Sequence, residues 1–350
     1  MRKFDYSFLE NVSIPSNIAS VLFAIERNRI ISINFKNDYP NVFNNLLKIA
    51  KIQSVKASNA IEGIVSTDKR IASIVNKDTE PMNHNEKEIA GYRDALEMIH
   101  NDYRTLDINS RDLLLLHKTL LEHAQSPYRG QWKTVDNLIV QTDANGIRSV
   151  RFTPVPANET SASVEQMILA FYEARQNANI NPLLLIPCFI LDFLCIHPFN
   201  DGNGRMSRLI TLLLLYQNGY EVGKYVSLEY MINKNKNMYY EKLYESSNGW
   251  IDNKNTYWPF IENFLFILLS AYNELENRYD IVKDKKLSKA ERVEETIKKT
   301  LGKITKEGIH NTWPDISYST IEVELSKLLK QGLIKKQGNT NGAFYWWVGK

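Results

Sequence analysis

Twelve consecutive residues, HPFNDGNGRMSR at positions 197–208, bring together a histidine, a carboxylate, two glycines flanking an asparagine, and two arginines. These are residue types for holding phosphates. Gly202, Asn203 and Gly204 stand where a helix would open, so their backbone N–H groups lack helical partners and face the positive end of the dipole. Arg205 and Arg208 are three apart, on one face of the first turns, and guanidinium forks suit phosphate oxygens. Asp201 sits at the rim, where a carboxylate beside phosphates needs a cation between them. Mg²⁺ held by one carboxylate plus phosphates fits. His197 titrates near neutral pH and is suited to take a proton from an attacking hydroxyl. A structural loop whose histidine and arginines merely pair with acids would explain any one of these residues, but not the set.

Two helices must position the loop. Pro198 disfavours the α conformation at His197, so the apolar helix 182–196 is expected to end there. A second helix, 203–217, carries the run LITLLLLY. Helical periodicity also predicts helices over 16–33, 41–62, 84–103, 109–123, 162–178, 237–247, 256–283, 290–306 and 317–331. The fold class is therefore mostly α. One stretch differs. TVDNLIVQTDANGIRSVRFTPVP has β-branched runs on either side of Asn145-Gly146, which reads as a β-hairpin flap.

Three domains are expected. Residues 1–105 form an N-terminal helical segment, 106–282 a catalytic core with the flap, and 283–350 a C-terminal module. In the last, a helix, a turn at Trp313-Pro314, a capped helix ended by Gly332 and two short strands resemble a winged helix-turn-helix. In that family the second helix enters the DNA major groove. Here it opens with Glu322 and Glu324, poor company for phosphates, so protein contact or dimerisation is favoured over DNA.

The net charge of +3 is unevenly placed, with 13 Lys and Arg against 7 Asp and Glu in residues 285–350. Cys188 and Cys195, seven apart, read as buried packing. No apolar stretch is long enough for a signal peptide or a membrane span, so the expected location is cytoplasmic, with no membrane partner. His84, His100, His117, His123 and His310 have no ligand-like spacing and read as structural or surface residues.

HPFNDGNGRMSR resembles the signature of Fic-domain proteins, HPFx(D/E)GNGRxxR, at every fixed position. YRGQWKTVDNLIV with FTPVP resembles the family's flap region, and MYYEKLYESSNGW with YWPFIENFL its closing helices. Together with SVKASNAIEGI, the likeness covers roughly residues 15–270. It implies a Fic-type helical bundle that moves AMP from ATP to a Ser, Thr or Tyr hydroxyl of a target protein, releasing pyrophosphate. His197 would then be the general base and Phe199 the loop's anchor. Asp201 would hold Mg²⁺ against the α- and β-phosphates. Gly202, Asn203, Gly204 and Arg205 would bind phosphates, and Arg208 the γ-phosphate. Adenine would lie near Tyr239 and Tyr240, with Ser247 or Asn248 close by. The flap strand Leu138, Ile139, Val140 and Gln141 would dock the target by strand pairing.

SNAIEG, residues 58–63, resembles the family's inhibitory motif (S/T)xxxE(G/N). Ser58 and Glu62 are four apart and share a helix face. On spacing alone, Glu62 reads as a solvated residue before Gly63. The resemblance instead implies that Glu62 pairs with Arg208 and blocks productive ATP binding. Two alternatives stay open: removal of AMP or transfer of another phospho-group on the same fold, and an ATP-sensing DNA-binding regulator. The C-terminal module is a candidate source of homodimer contacts.

Overall fold

The computed structural model describes residues 2–142, 148–282, 287–300, 302–313, 315–338 and 342–349. Asn145-Gly146, Pro314 and the tip of the last hairpin lie outside them. In chain order the helices are α1 (Ser16–Asp38), α2 (Pro40–Ile61), α3 (Asp68–Val75), α4 (His84–Asp102) and α5 (Ser110–Leu121). Strands β1 (Ile139–Thr142) and β2 (Arg148–Phe152) follow. Then come α6 (Ala157–Arg175), α7 (Pro182–Ile196), α8 (Asn203–Gln217), α9 (Leu228–Lys234), α10 (Lys236–Ser247) and α11 (Trp258–Val282). The C-terminal elements are α12 (Lys289–Lys299), β3 (Ile304–Thr305), α13 (Lys306–Thr312), α14 (Tyr318–Lys330), β4 (Ile334–Gln337) and β5 (Phe344–Trp347).

At the centre is α7. Every residue from Leu183 to Ile196 is buried, the signature of a helix packed on all sides. Asn181 caps it by accepting from the Leu183 N–H, and Pro182 occupies the first turn, where its missing donor costs nothing. Helices α6, α8, α10 and α11 pack around it. One charge is buried in it: Asp192 accepts from Tyr6 Oη (2.8 Å), Trp250 Nε1 (2.6 Å) and Tyr257 Oη (3.0 Å), and pairs with Arg2. These bonds satisfy the carboxylate and strap the N-terminal segment across the core.

Helices α4 and α5 pack closely because position 91 is glycine. A Cβ there would collide with the carbonyl of Leu120. The pair delivers Glu88 and His117 to the region of the 197–208 loop. β1 and β2 form an antiparallel two-stranded sheet, with an irregularity in register between Ile139 and Val140. β3, β5 and β4 form a second antiparallel sheet in that order.

Several boundaries differ from expectation. α6 starts at Ala157 rather than 162, because Pro156 precedes it in an extended conformation. The helix expected over 290–306 stops at Lys299. Thr300 is extended and Gly302 has φ of 100°, and β3 and α13 follow. The short helices α3, α9 and α13 were not expected. No helix among the described residues is long and apolar enough to cross a membrane.

Candidate active site

The loop between α7 and α8 is a constrained turn. His197 caps α7 in the left-handed conformation (φ 52°, ψ 61°), and its N–H donates to the Phe193 carbonyl at 3.0 Å. Phe199 is fully buried and stacks on the His117 ring at 3.7 Å between centroids. The Asn203 side chain closes the turn through both of its polar atoms: Oδ1 accepts from the Phe199 N–H (3.0 Å), and Nδ2 donates to the Phe199 carbonyl (2.8 Å). Gly202 then opens α8 at φ 82°, a conformation glycine adopts without strain. Its N–H is already taken by Asp201 Oδ1 at 2.6 Å. The N–H groups of the first turn of α8, from Asn203 to Arg205, are left for an anion.

A carboxylate occupies that place. Glu62 Oε1 accepts from Arg208 Nη2 at 2.8 Å and lies so close to Gly204 that a Cβ there would collide with it. Arg208 is buried: Nε donates to Ser58 Oγ (2.8 Å), and Nη2 also donates to the Ser58 carbonyl (3.0 Å). Ser58, Glu62 and Arg208 thus form one cluster across α2 and α8. Gly63 follows at φ 79°.

The two arginines do not share a ligand. Arg205 turns away to a buried ion pair with Glu88 of α4, and reaches Asp201 Oδ2 only at 3.5 Å. Asp201 itself is 64% exposed.

His197 is half-buried. Its Nδ1 faces the Leu194 carbonyl at 3.4 Å, which favours the proton on Nδ1 and leaves Nε2 as the acceptor. Burial lowers its pKa to about 4, and the nearby Lys133 charge acts in the same direction. The ring is neutral at pH 7, as a proton acceptor must be.

Three supporting residues escaped the sequence reading. His117 accepts from the Gly130 N–H through Nδ1 (3.0 Å), so its Nε2 carries the proton and donates to the Asp201 carbonyl (3.1 Å). Burial lowers its pKa to about 4. Lys133 is buried, and its Nζ donates to the Ile196 carbonyl (3.1 Å) and Asn137 Oδ1 (2.9 Å). Its own N–H donates to the Pro198 carbonyl (2.8 Å). Lys133 therefore ties the root of the flap to both sides of His197. Glu88 is the third. None of the three carries a local signal for this role, because the loop residues each supports lie 63 to 117 positions away in sequence.

Beside this cluster is a cavity of about 230 Å³ lined by Glu62, Ile139, Leu194, His197, Gly204 and Tyr240, among others, with Ser247 at its edge. Arg151 of β2 donates to the Tyr240 carbonyl and lies over the Tyr240 and Tyr244 rings, pinning the flap to α10. Ile139 faces the cavity, whereas Leu138 and Val140 are exposed. Gln141 belongs to β1, and its side chain lies outside the described residues. Tyr239 does not line the cavity. It is buried edge-to-face against Phe260 at 5.7 Å. Its ring also meets that of Tyr240 edge-on, at 5.5 Å between centroids.

Among the described residues no group of three or more His, Cys, Asp or Glu is placed to hold a metal. Asp201 offers a single accessible carboxylate. That donor set fits Mg²⁺, whose remaining ligands would be phosphate oxygens and waters, and not a closed protein cage.

Residues 107–215 match the profile described as the Fic/DOC family. The chain is 25% identical over 213 residues to "Protein adenylyltransferase Fic" of Nematostella vectensis, covering 58% of this chain and 45% of that one. It is 27% identical over 215 residues to the Drosophila melanogaster protein of the same name, covering 58% and 41%. The chain thus spans less than half the length of these curated relatives. Among solved structures, a Fic family protein from Desulfovibrio desulfuricans G20 superposes with a TM-score of 0.63 at 20% identity, over 97% of this chain and 98% of that one. Fic-1 from C. elegans superposes with a TM-score of 0.54 at 16% identity, over 76% of each. Over residues 107–215, enclosing the His197 loop and its two helices, this chain carries a Fic domain of the Fic/DOC family.

Proposed function

We propose that the chain is a protein adenylyltransferase held off by its own Glu62. The observation that carries this reading is the carboxylate of Glu62 lying between Gly204 and Arg208, where a phosphate would bind. An anion-shaped place filled by an internal anion is what competitive autoinhibition requires. With Glu62 withdrawn, the first-turn N–H groups of α8 and the Arg208 guanidinium would receive the triphosphate of ATP. Asp201 would hold Mg²⁺, which when bound neutralises phosphate charge.

The target's Ser, Thr or Tyr oxygen attacks the α-phosphorus, and its proton passes to His197 Nε2. The bond from the α-phosphorus to the bridging oxygen breaks, and pyrophosphate leaves. Positioning and charge stabilisation supply most of the catalysis in such transfers. Arg205 contributes by fixing the loop from beneath, since Glu88 already holds its guanidinium. Adenine rests against Tyr240, near Ser247. The unpaired edge of β1 receives a target segment by main-chain pairing. This assigns residues 106–282 to catalysis and 1–105 to restraint. Residues 283–350, winged-helix-like in element order, serve protein contact or dimerisation. DNA is the less favoured partner, because α14 presents the exposed carboxylate of Glu322 in its second turn, where it would repel phosphates.

ATP labelled at the α-phosphate, added to wild-type and Glu62→Gly protein with a host lysate, tests the reading. Label on protein, stronger with the variant, supports it. A second reading is favoured by Glu62 and His197 lining the same cavity: Glu62 would orient water for removal of AMP. Loss of label from a premodified target by wild type, and not by Glu62→Gly, would select that reading.

A further inference from the structure

Two buried charges have no lasting ion-pair partner. Arg208 is 4% exposed, and the carboxylate paired with it is Glu62, the group that must leave before a phosphate can enter. Glu229, in the first turn of α9, is 1% exposed and, among the described residues, in no ion pair. Hydroxyls hold it instead. Its Oε2 accepts from Ser54 Oγ of α2 (2.8 Å) and Ser227 Oγ (2.9 Å), and its Oε1 accepts from Tyr92 Oη of α4 (2.9 Å). Ser227 Oγ also accepts from the Tyr230 N–H at 3.0 Å, so its own proton is the one directed at the carboxylate.

The hydroxyls lead from Glu229 to Arg208. Burial and the Glu229 charge push the Tyr92 hydroxyl well above its ordinary pKa, so it keeps the proton it donates, and its oxygen is free to accept. Ser58 Oγ accepts from Arg208 Nε and has its own proton to give, and Tyr92 is the hydroxyl in contact with it. Tyr92 also lies within the fields of both Glu229 and Arg208. The donors thus run one way, from Arg208 through Ser58 and Tyr92 to Glu229, and each bond polarises the next. Three steps of hydrogen-bond length span at most about 10 Å.

We propose that Glu229 is the standing counter-charge of Arg208, acting through Tyr92 and Ser58, and that it loosens the hold of Arg208 on Glu62 and on a phosphate alike. Glu62 compensates the guanidinium only while it is seated. A buried cation stripped of its partner is strongly destabilising. Glu229 stays on α9 when Glu62 departs, so the cation is never left bare. Because part of its charge is already answered, Arg208 binds either anion less tightly and can exchange one for the other. Glu229 does not touch the nucleotide; it is a positioning residue that acts through Arg208.

The consequence for ATP rests on the proposed function; the coupling between the two buried charges does not. Denaturant midpoints of the full chain, without nucleotide, test that coupling. Glu229→Gln keeps the shape and removes the charge. Glu62→Gly should then lower the midpoint of the Glu229→Gln protein by more than it lowers that of wild type, because Arg208 loses both counter-charges. Tyr92→Phe keeps both charges and cuts the chain of hydroxyls, and should give a smaller excess of the same sign. Should one of these variants fail to fold, the other decides alone. Additive effects in either pair would overturn the proposal.

Titrations of Glu62→Gly with MgATP and MgADP read the second consequence. Adding Glu229→Gln there should tighten ATP by roughly tenfold, the worth of one charge within about 10 Å at an effective dielectric near 20. ADP, which has no γ-phosphate for Arg208, should bind as before. General damage to the site would weaken both nucleotides, so a tightening confined to ATP separates the charge from a structural role. Where Glu62→Gly binds ATP, unchanged or weaker ATP binding after Glu229→Gln, or an equal change with ADP, would overturn the proposal. If the denaturant coupling holds but Glu62→Gly binds ATP no better than wild type, the inhibitory reading fails and the counter-charge stands.

Discussion

Glu62 Oε1 lies 2.8 Å from Arg208 Nη2, and the same oxygen rests against Gly204 at the first turn of α8. One carboxylate thus pairs with Arg208 and fills the space beside Gly204 that a terminal phosphate would need.

Removing that carboxylate should release activity. A charge-assisted hydrogen bond contributes about 1.5–3 kcal/mol, which corresponds to roughly ten- to a hundredfold in rate if it must break before ATP seats productively. Glu62→Gly is expected to raise α-phosphate label incorporation by that range. Ser58→Ala removes the bond to Arg208 Nε and a contact with Tyr92 but leaves the Glu62 carboxylate in place, and should give a smaller rise. Unchanged incorporation by Glu62→Gly would sink the inhibitory role.

His197 is lowered to about 4, so the acid limb of kcat/KM, which reports the free enzyme, should centre near pH 4 and not 6.5. Burial is the main cause, and Lys133 adds to it. Lys133→Met should therefore move the limb upward in pH. A limb at 6.5 in the unmutated protein would mean that some group other than a buried His197 governs transfer. His197→Ala should eliminate transfer while leaving the fold intact by circular dichroism.

Burial also links stability to pH. His100, His117 and His197 have pKa values of about 3, 4 and 4 in the folded chain. Unfolded imidazoles titrate near 6.5, so below that pH the unfolded chain binds more protons. The stability present above about pH 6.5 should be lost as pH falls toward 4, at up to about 1.4 kcal/mol per pH unit for each ring. Thermal melts across this window check the slope, and His100→Gln should reduce it by one ring's share. Equal Tm at pH 7 and pH 4.5 would contradict the buried placements.

The Arg205–Glu88 pair is buried on both sides, at 3% and 5% side-chain exposure. Breaking a buried pair from one side costs about 3–5 kcal/mol, because it strands the other charge. Glu88→Ala should lower Tm by several degrees and reduce transfer through a loosened loop. Glu88→Gln, which keeps one acceptor, should retain more of both. If Glu88→Ala melts like wild type, the pair does not support the loop.

Much of the loop was legible because its signals are local. Pro198 stops α7, and Gly202 marks the opening of α8. The short helices α3, α9 and α13 were not legible. Seven or eight residues carry too little periodicity, and tertiary packing forms them. Gly302 is the opposite case: it sits inside KKTLGKITKEG and could have ended the helix drawn through to 306. At the site, the sequence placed Glu62 against Arg208 only through family resemblance. It had no route to His117, Lys133 or Glu88, whose partners are up to 117 residues away. Tyr239 and Tyr240 follow one another on α10 and point about 100° apart, and of the two Tyr240 lines the cavity.

His197 holds φ of 52°, a region that L side chains enter at a cost of roughly 1–2 kcal/mol. Randomising this position and sorting only for well-folded molecules should therefore enrich glycine or asparagine. Sorting for turnover should return the imidazole. At this one position the most durable chain and the most active chain are different molecules.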